Sequence, residues 1–174
     1  MERKVEVVSY RNEWVEMYNK GSQEILEIVQ PNEVVVHHIG STSIPDLSAK
    51  PIIDILAEVD DIKILDQLIP VFEKEGFIAR GENGIVGRRF FIKQATNGER
   101  LYHLHAFEKG NSEIDRHLIF RDYLRKHPEE ANRYKNVKLI AAKKFPYDIE
   151  SYINFKDPII KELEKKALEW GSRK

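Results

Sequence analysis

Val34-Val35-Val36-His37-His38-Ile39-Gly40-Ser41-Thr42-Ser43 is the stretch on which the fold turns. β-Branched side chains suit a pleated surface better than a helix, so Val34 to Ile39 reads as a strand. Its ending matters as much as its body. A strand that stops at Gly and Ser, with two more hydroxyls behind, sets backbone N–H groups beside small side chains where a phosphate can come close. The same residues also suit a plain turn ahead of a helix N-cap.

Upstream, Val5, Val7 and Tyr10 read as a short strand. Trp14, Met17, Tyr18, Ile25, Leu26 and Val29 then recur at three- and four-residue steps, the mark of one buried helix face. Asn12 stands where that helix needs a cap, and Pro31 lies beyond its end. Downstream, Pro45 and Pro51 bracket a connection of small residues. After it Ile52-Ile53-Asp54-Ile55-Leu56-Ala57-Glu58-Val59 is apolar on both faces, as a central strand must be. An amphipathic helix is expected over Asp60 to Glu75, capped by Asp60 or Asp61 and stopped by Gly76. Gly81, Gly84 and Gly87 mark a loop around Glu82. Arg89 to Gln94 and Leu101 to Phe107 form a hairpin through Thr96-Asn97-Gly98. Pro128 and Pro146 divide the remainder into helices over about Ser112 to Lys126, Glu129 to Lys144 and Ile149 to Trp170. Strands crowd the first two thirds of the chain. The fold class is therefore α/β (α+β), with a helical C-terminal part.

At 174 residues the chain suits one core, and a single domain over residues 1–174 is the expectation. The 28 Lys and Arg nearly balance the 29 Asp and Glu, so no general field draws the protein to duplex nucleic acid or an anionic membrane. There is no cysteine, which removes disulfides, thiolate nucleophiles and thiolate zinc sites together. Met1 to Tyr10 lacks the apolar run of a secretory leader, and Pro51 to Val59 is far short of the roughly 20 residues a membrane span needs. A cytoplasmic protein without a membrane partner is expected. Its oligomeric state is left open.

Asp54 is the anomaly. A carboxylate in an apolar strand loses hydration unless a cation or N–H donors face it. Either Lys50 or backbone donors hold it for structure, or it is there to bind a metal or substrate. His103 and His105 stand two apart in a strand and so share a face, where a divalent cation, a phosphate or a packed neighbour can meet them. Of His37 and His38 only one can look the same way. Arg121 sits mid-helix beside Asp122 among apolar residues, fit for a structural ion pair or for gripping phosphate. The Lys and Glu between Lys161 and Glu169 form a solvated helix face.

Five motifs occur together: His38-Ile39-Gly40-Ser41-Thr42-Ser43-Ile44-Pro45, Ala49-Lys50-Pro51-Ile52-Ile53-Asp54-Ile55, Gly87-Arg88-Arg89-Phe90-Phe91, His103-Leu104-His105 and Leu118-Ile119-Phe120-Arg121-Asp122-Tyr123-Leu124-Arg125. Their order and spacing resemble the GrpB family over about Val5 to Lys166. That family is similar to the nucleotidyltransferase superfamily. There a Gly-Ser turn follows one strand, and two aspartates one residue apart on the next hold magnesium across a nucleotide triphosphate. The resemblance implies a nucleotidyltransferase-like mixed sheet with flanking helices. It also implies an enzyme acting on a nucleotide or phosphorylated small molecule. Gly40, Ser41 and Thr42 would meet phosphate, Lys50, Arg89 and Arg121 would clamp it, and Asp54, His103 and His105 would be catalytic groups or metal ligands. Asp54, thirteen residues after Ser41, matches the second aspartate. Ile52 stands in the place of the first, and the strand expected to bear a third carboxylate bears the two histidines. A divalent metal, whether Mg, Mn or Zn, would thus meet one carboxylate and two imidazoles, a softer set than magnesium prefers. The alternative is a non-catalytic module that binds a nucleotide or metabolite in the same cleft. Asp46 stands where the family usually has Gly, and Tyr102 where a His often precedes His103.

Overall fold

The computed structural model describes residues 3–172. In chain order it contains α1 (Glu13–Val29), β1 (Val34–Ile39), a 3-10 turn (Ser41–Ser43), β2 (Ile53–Val59), α2 (Lys63–Gln67), α3 (Ile69–Lys74), β3 (Phe77–Ala79), β4 (Arg89–Gln94), β5 (Arg100–Glu108), α4 (Ser112–Lys126), α5 (Pro128–Lys144) and α6 (Ile149–Gly171). Two compact units result, neither continuous in sequence. A sheet unit comprises Asn12–Gly40 and Ile52–Asp115; a helical unit comprises the N-terminal segment to Arg11, Ser41–Pro51 and the chain from Arg116 onward. Among the described residues no helix is long and apolar enough to cross a membrane.

In the sheet unit the strand order is β1-β2-β5-β4-β3. β2 and β5 run parallel and the other neighbours antiparallel, so the sheet is mixed, as expected. α1 closes on one face at Gly21, where a Cβ would lie 2.5 Å from Tyr102 Cε1 and 3.0 Å from Ile55 Cδ1. The Tyr102 hydroxyl donates to the Met17 carbonyl at 2.7 Å, fixing helix to sheet. Strand alternation then assigns the faces. Ile55, Tyr102 and Leu104 look toward α1, whereas Asp54, His103 and His105 look away from it.

Three expectations require correction. The segment through Val5, Val7 and Tyr10 is no strand but a single antiparallel bridge between Val8 and Ala49. The next pairing in that register falls on Pro51, which has no N–H to extend the ladder. The helix over Asp60 to Glu75 is two short helices meeting at Leu68, because Pro70 lacks an N–H and its ring collides with the carbonyl one turn back. Asn12 makes no side-chain cap, its φ of -62° and ψ of -30° being already helical. The N-cap position of α2 is Ile62, with no side-chain cap, and Asp61 just ahead of it accepts through Oδ1 from the Lys63 N–H at 3.0 Å.

The helical unit is built around Tyr134, Leu163 and Ala167, against which Tyr123, Ile44 and Leu47 pack. Two cations hold its Ser41–Pro51 segment. Arg125 Nε donates to the Ser43 carbonyl at 3.0 Å, and buried Lys138 donates through Nζ to the Ser48 carbonyl at 2.9 Å. These bonds give the Ser43 and Ser48 carbonyls the partners that a buried main-chain group needs.

Candidate functional site

β1 ends at Ile39, the cross-strand partner of Asp54, and Gly40 follows with φ +73°. A Cβ on Gly40 would lie 2.6 Å from Asp54 Oδ2 and 3.1 Å from Asp54 Cβ, so the absent side chain is what admits the carboxylate. The left-handed backbone is a second reason for glycine here. Parallel pairing sets His103 directly beside Asp54, and the two-residue period brings His105 to the same face. Asp54 Oδ1 accepts from His105 Nε2 at 3.0 Å and lies 3.7 Å from His103 Nδ1. Phe90, opposite His105 in β4, stands 5.3 Å and 5.2 Å from the two imidazole rings and walls them in. The Asp54 side chain is 29% exposed against 19% for His103 and 13% for His105, so a ligand can reach this carboxylate and it is not sealed away as a purely structural acid.

Two arginines complete the cluster. Arg88, 7% exposed, places Nη1 3.3 Å from His105 Nδ1; Arg100 places Nη1 3.4 Å from His103 Nε2. His37 shares the Asp54 face and pairs with Glu58 at 2.6 Å, whereas His38 stacks on Tyr18 of α1 at 4.8 Å.

Of the residues singled out in the sequence, the structure brings Gly40, Asp54, His103 and His105 together in the sheet unit. It does not bring Arg89 to them. Arg89 has the opposite parity to Phe90 and emerges on the α1 side, as Lys93 does, whose Nζ reaches Glu24 of α1 at 2.6 Å. There Arg89 forks onto Asp66, with Nε to Oδ1 at 2.6 Å and Nη2 to Oδ2 at 3.1 Å. That hydrogen bond is the main reason the Asp66 carboxyl lies below its usual range. The residue beside the histidines is its neighbour Arg88, which sequence reasoning passed over.

Ser41, Thr42, Lys50 and Arg121 belong to the helical unit. Ser41 opens the 3-10 turn, in which Thr42 is buried. Lys50 Nζ lies 5.3 Å from the Tyr152 ring centroid, a cation–π contact. Arg121 Nε donates to Asp122 Oδ1 at 2.9 Å, the ion pair that was one of its two readings. One turn on, Arg125 binds the turn through the Ser43 carbonyl. Burial, and then the charge of Arg121, push its guanidinium below the ordinary arginine range. The charge of Asp122, itself paired with Arg121, opposes that shift.

The donor set does not fit a magnesium pair. Magnesium prefers oxygen ligands in near-octahedral array, and two ions bridged across a triphosphate need more than one carboxylate. Here Ile52 has no donor, and Asp54 faces the imidazoles of His105 and His103, each with an arginine on its other nitrogen. Among the described residues no group of three or more His, Asp or Glu is arranged to hold a metal ion.

A model of the GrpB protein family matches residues 4–166. The chain belongs to the GrpB family. It is 43% identical to the UPF0157 protein YqkA of Bacillus subtilis (strain 168) over 168 residues, which cover 97% of this chain and 48% of that protein. It thus spans about half the length of that relative, but 82% of the 34% identical UPF0157 protein BH1888 of Halalkalibacterium halodurans. The crystal structure of the conserved protein GrpB from Enterococcus faecalis superposes with a TM-score of 0.89 at 41% identity, covering 94% of this chain and 98% of that one. Beyond the family, the GrpB fold is shared with Cid1 in complex with its short product ApU, at a TM-score of 0.53 and 12% identity over 75% of this chain and 42% of that one. That likeness establishes a nucleotidyltransferase-like fold and nothing finer.

Proposed function

We propose that this GrpB protein is a nucleotidyltransferase-like enzyme acting on a nucleotide or another phosphorylated small molecule, with Asp54 as its reacting carboxylate. What supports the reading is Asp54 itself: an acid on a central strand of such a sheet, given room by Gly40, steadied by His105 and still open to a ligand. In the transfer a substrate hydroxyl gives its proton to Asp54 and its oxygen bonds to the α-phosphorus. The bond from that phosphorus to the pyrophosphate oxygen breaks, and pyrophosphate leaves with the electron pair. The negative charge calls for cations. In the sheet unit Arg88 and Arg100, standing behind the two histidines, are the cations that can meet it.

Ile52 favours a second reading. A chain with one of the two strand carboxylates can bind a nucleotide or metabolite without turning it over. A thermal-shift screen of nucleotides and sugar phosphates, followed by 31P NMR of each hit, separates the two. A ligand at 100 times its Kd adds about 2.7 kcal/mol of stability, a readily measured rise in Tm. Phosphoryl products formed by the wild type and lost in Asp54→Asn support the enzyme. Binding without products supports the module, and a screen in which no phosphorylated compound raises Tm refutes both.

A further inference from the structure

We infer that Arg88 and Arg100 fix the two imidazoles in opposite tautomers, both turned as donors toward Asp54, so that the cluster is a metal-independent proton-acceptor site rather than a metal centre. The direction of each bond is decided at the arginine ends. A guanidinium carries five N–H groups and no lone pair. Arg88 Nη1, 3.3 Å from His105 Nδ1, can therefore only donate, and Nδ1 must accept. A neutral imidazole has one acceptor and one donor nitrogen, so the proton sits on Nε2 and is given to Asp54 Oδ1 at 3.0 Å. On the other side Arg100 Nη1 is 3.4 Å from His103 Nε2, which leaves the His103 proton on Nδ1, facing the same Oδ1 at 3.7 Å. His105 carries its proton on one ring nitrogen and His103 on the other, yet both present it to one carboxylate oxygen.

Arg88 is built into this position. Its Nε donates to the Glu82 carbonyl at 3.1 Å and its Nη2 to the Asn83 carbonyl at 2.7 Å. Its guanidinium carbon lies 4.8 Å from the Phe90 ring centroid. A buried guanidinium is tolerated only with its donors satisfied, and here His105 is one of the acceptors that satisfy them.

The chemistry follows from the lone pairs. A metal binds an imidazole through its lone pair, and each of these lone pairs faces an arginine, away from Asp54. Neither ring can take a substrate proton without giving up that arginine. Asp54 remains as the acceptor, with a guanidinium behind each of the imidazoles that face it. Arg88 and Arg100 are thus positioning residues, acting through the histidines. The link to catalysis rests on the reading of Asp54 as the reacting carboxylate; the tautomers do not.

Long-range 1H–15N spectra of the histidine rings, recorded on uniformly labelled protein at pH 7.5 without any ligand, test the inference independently of any nucleotide. His105 should show a protonated Nε2 and an acceptor-type Nδ1, and His103 the reverse. Arg88→Met should leave the proton on Nε2, held by Asp54, but shift the Nδ1 resonance toward that of an unbonded acceptor, and Arg88→Lys, which can still donate, should preserve the wild-type pattern in part. Zn2+ added to one equivalent should leave both ring patterns unchanged. The inference is overturned if wild-type His105 carries its proton on Nδ1 or on both nitrogens. It is equally overturned if Zn2+ shifts the two rings selectively and Asp54→Asn abolishes that shift. The wild-type spectrum alone decides the first point, so a poorly folded Arg88 variant does not protect the idea.

Discussion

Gly40→Ala tests the contact that admits the carboxylate. Two costs add. A φ of +73° puts an L-residue in the left-handed region, about 1–2 kcal/mol. The new Cβ, 2.6 Å from Asp54 Oδ2 and 3.1 Å from Asp54 Cβ, cannot be accommodated without moving the acid and stretching its bond to His105. Breaking that charge-assisted hydrogen bond costs roughly 1–3 kcal/mol more. Gly81→Ala isolates the first cost, since φ there is +60° and nothing lies within 4 Å of a Cβ. Urea unfolding followed by fluorescence of Trp14 and Trp170, one tryptophan in each unit, should place Gly40→Ala about 1–3 kcal/mol below Gly81→Ala. Adding Asp54→Ala to Gly40→Ala should recover part of the difference, because the 2.6 Å contact then disappears. Equal destabilisation at the two glycines, or no recovery in the double variant, would show that the carboxylate is not held against Gly40.

Gly21→Ala in α1 should reverse the usual sign: an exposed helix gains about 1 kcal/mol from such a change, but here a Cβ would stand 2.5 Å from Tyr102 Cε1, and calorimetry should show a lower Tm. Arg89→Ala should cost about 1 kcal/mol or less, the worth of a partly exposed pair with Asp66, and leave the His105 ring spectrum as it is in the wild type. Glu130 provides the pH test. Its carboxyl is held below its ordinary 4.5, first by the Arg133 hydrogen bond and then by Lys166, against the opposing effect of burial. A folded value below the unfolded one stabilises the protein above about 4.5 and loses that stabilisation as pH falls through the folded value. Wild type should therefore unfold at higher urea than Glu130→Gln at pH 7, and the gap should close toward pH 3 or below.

The strands that could be read from sequence are those whose pattern is long enough to count. Ile53–Val59 and the β4–β5 hairpin lie within a residue or two of their expected bounds. Phe77–Ala79 is three residues long, too short for alternation to register, and exists as a strand only through its pairing with β4. Val5 to Tyr10 shows the opposite failure. Its composition suits a strand, but a strand needs a partner with donors, and Pro51 withholds one. The site divides along the same line. Asp54, His103 and His105 are legible one by one, because an acid in an apolar strand and two imidazoles at alternate positions are chemically conspicuous. Arg88 and Arg89 are indistinguishable by type, and only the pairing of Phe90 with His105 tells which arginine shares the histidine face. Arg125 was hidden differently: its bond to the Ser43 carbonyl joins residues 82 apart in the chain.

Ile52 and Arg88 belong to one electrostatic arrangement. Two aspartates one residue apart on a strand repel each other, and a dication between them offsets that repulsion while recruiting phosphate. With Ile52 in the first place the repulsion of a carboxylate pair is gone, and only the single charge of Asp54 needs an opposite. A guanidinium acting through an imidazole supplies one positive charge at a fixed distance, with no ion to bind and none to lose. The second guanidinium, Arg100, stands in the same relation to His103. Seen this way, the absence of the first aspartate does not by itself mark a dead site. On the reading proposed above such a site would take its positive charge from arginine, and the comparison of wild type with Asp54→Asn decides between turnover and binding alone, because Asp54 is the acid both histidines face.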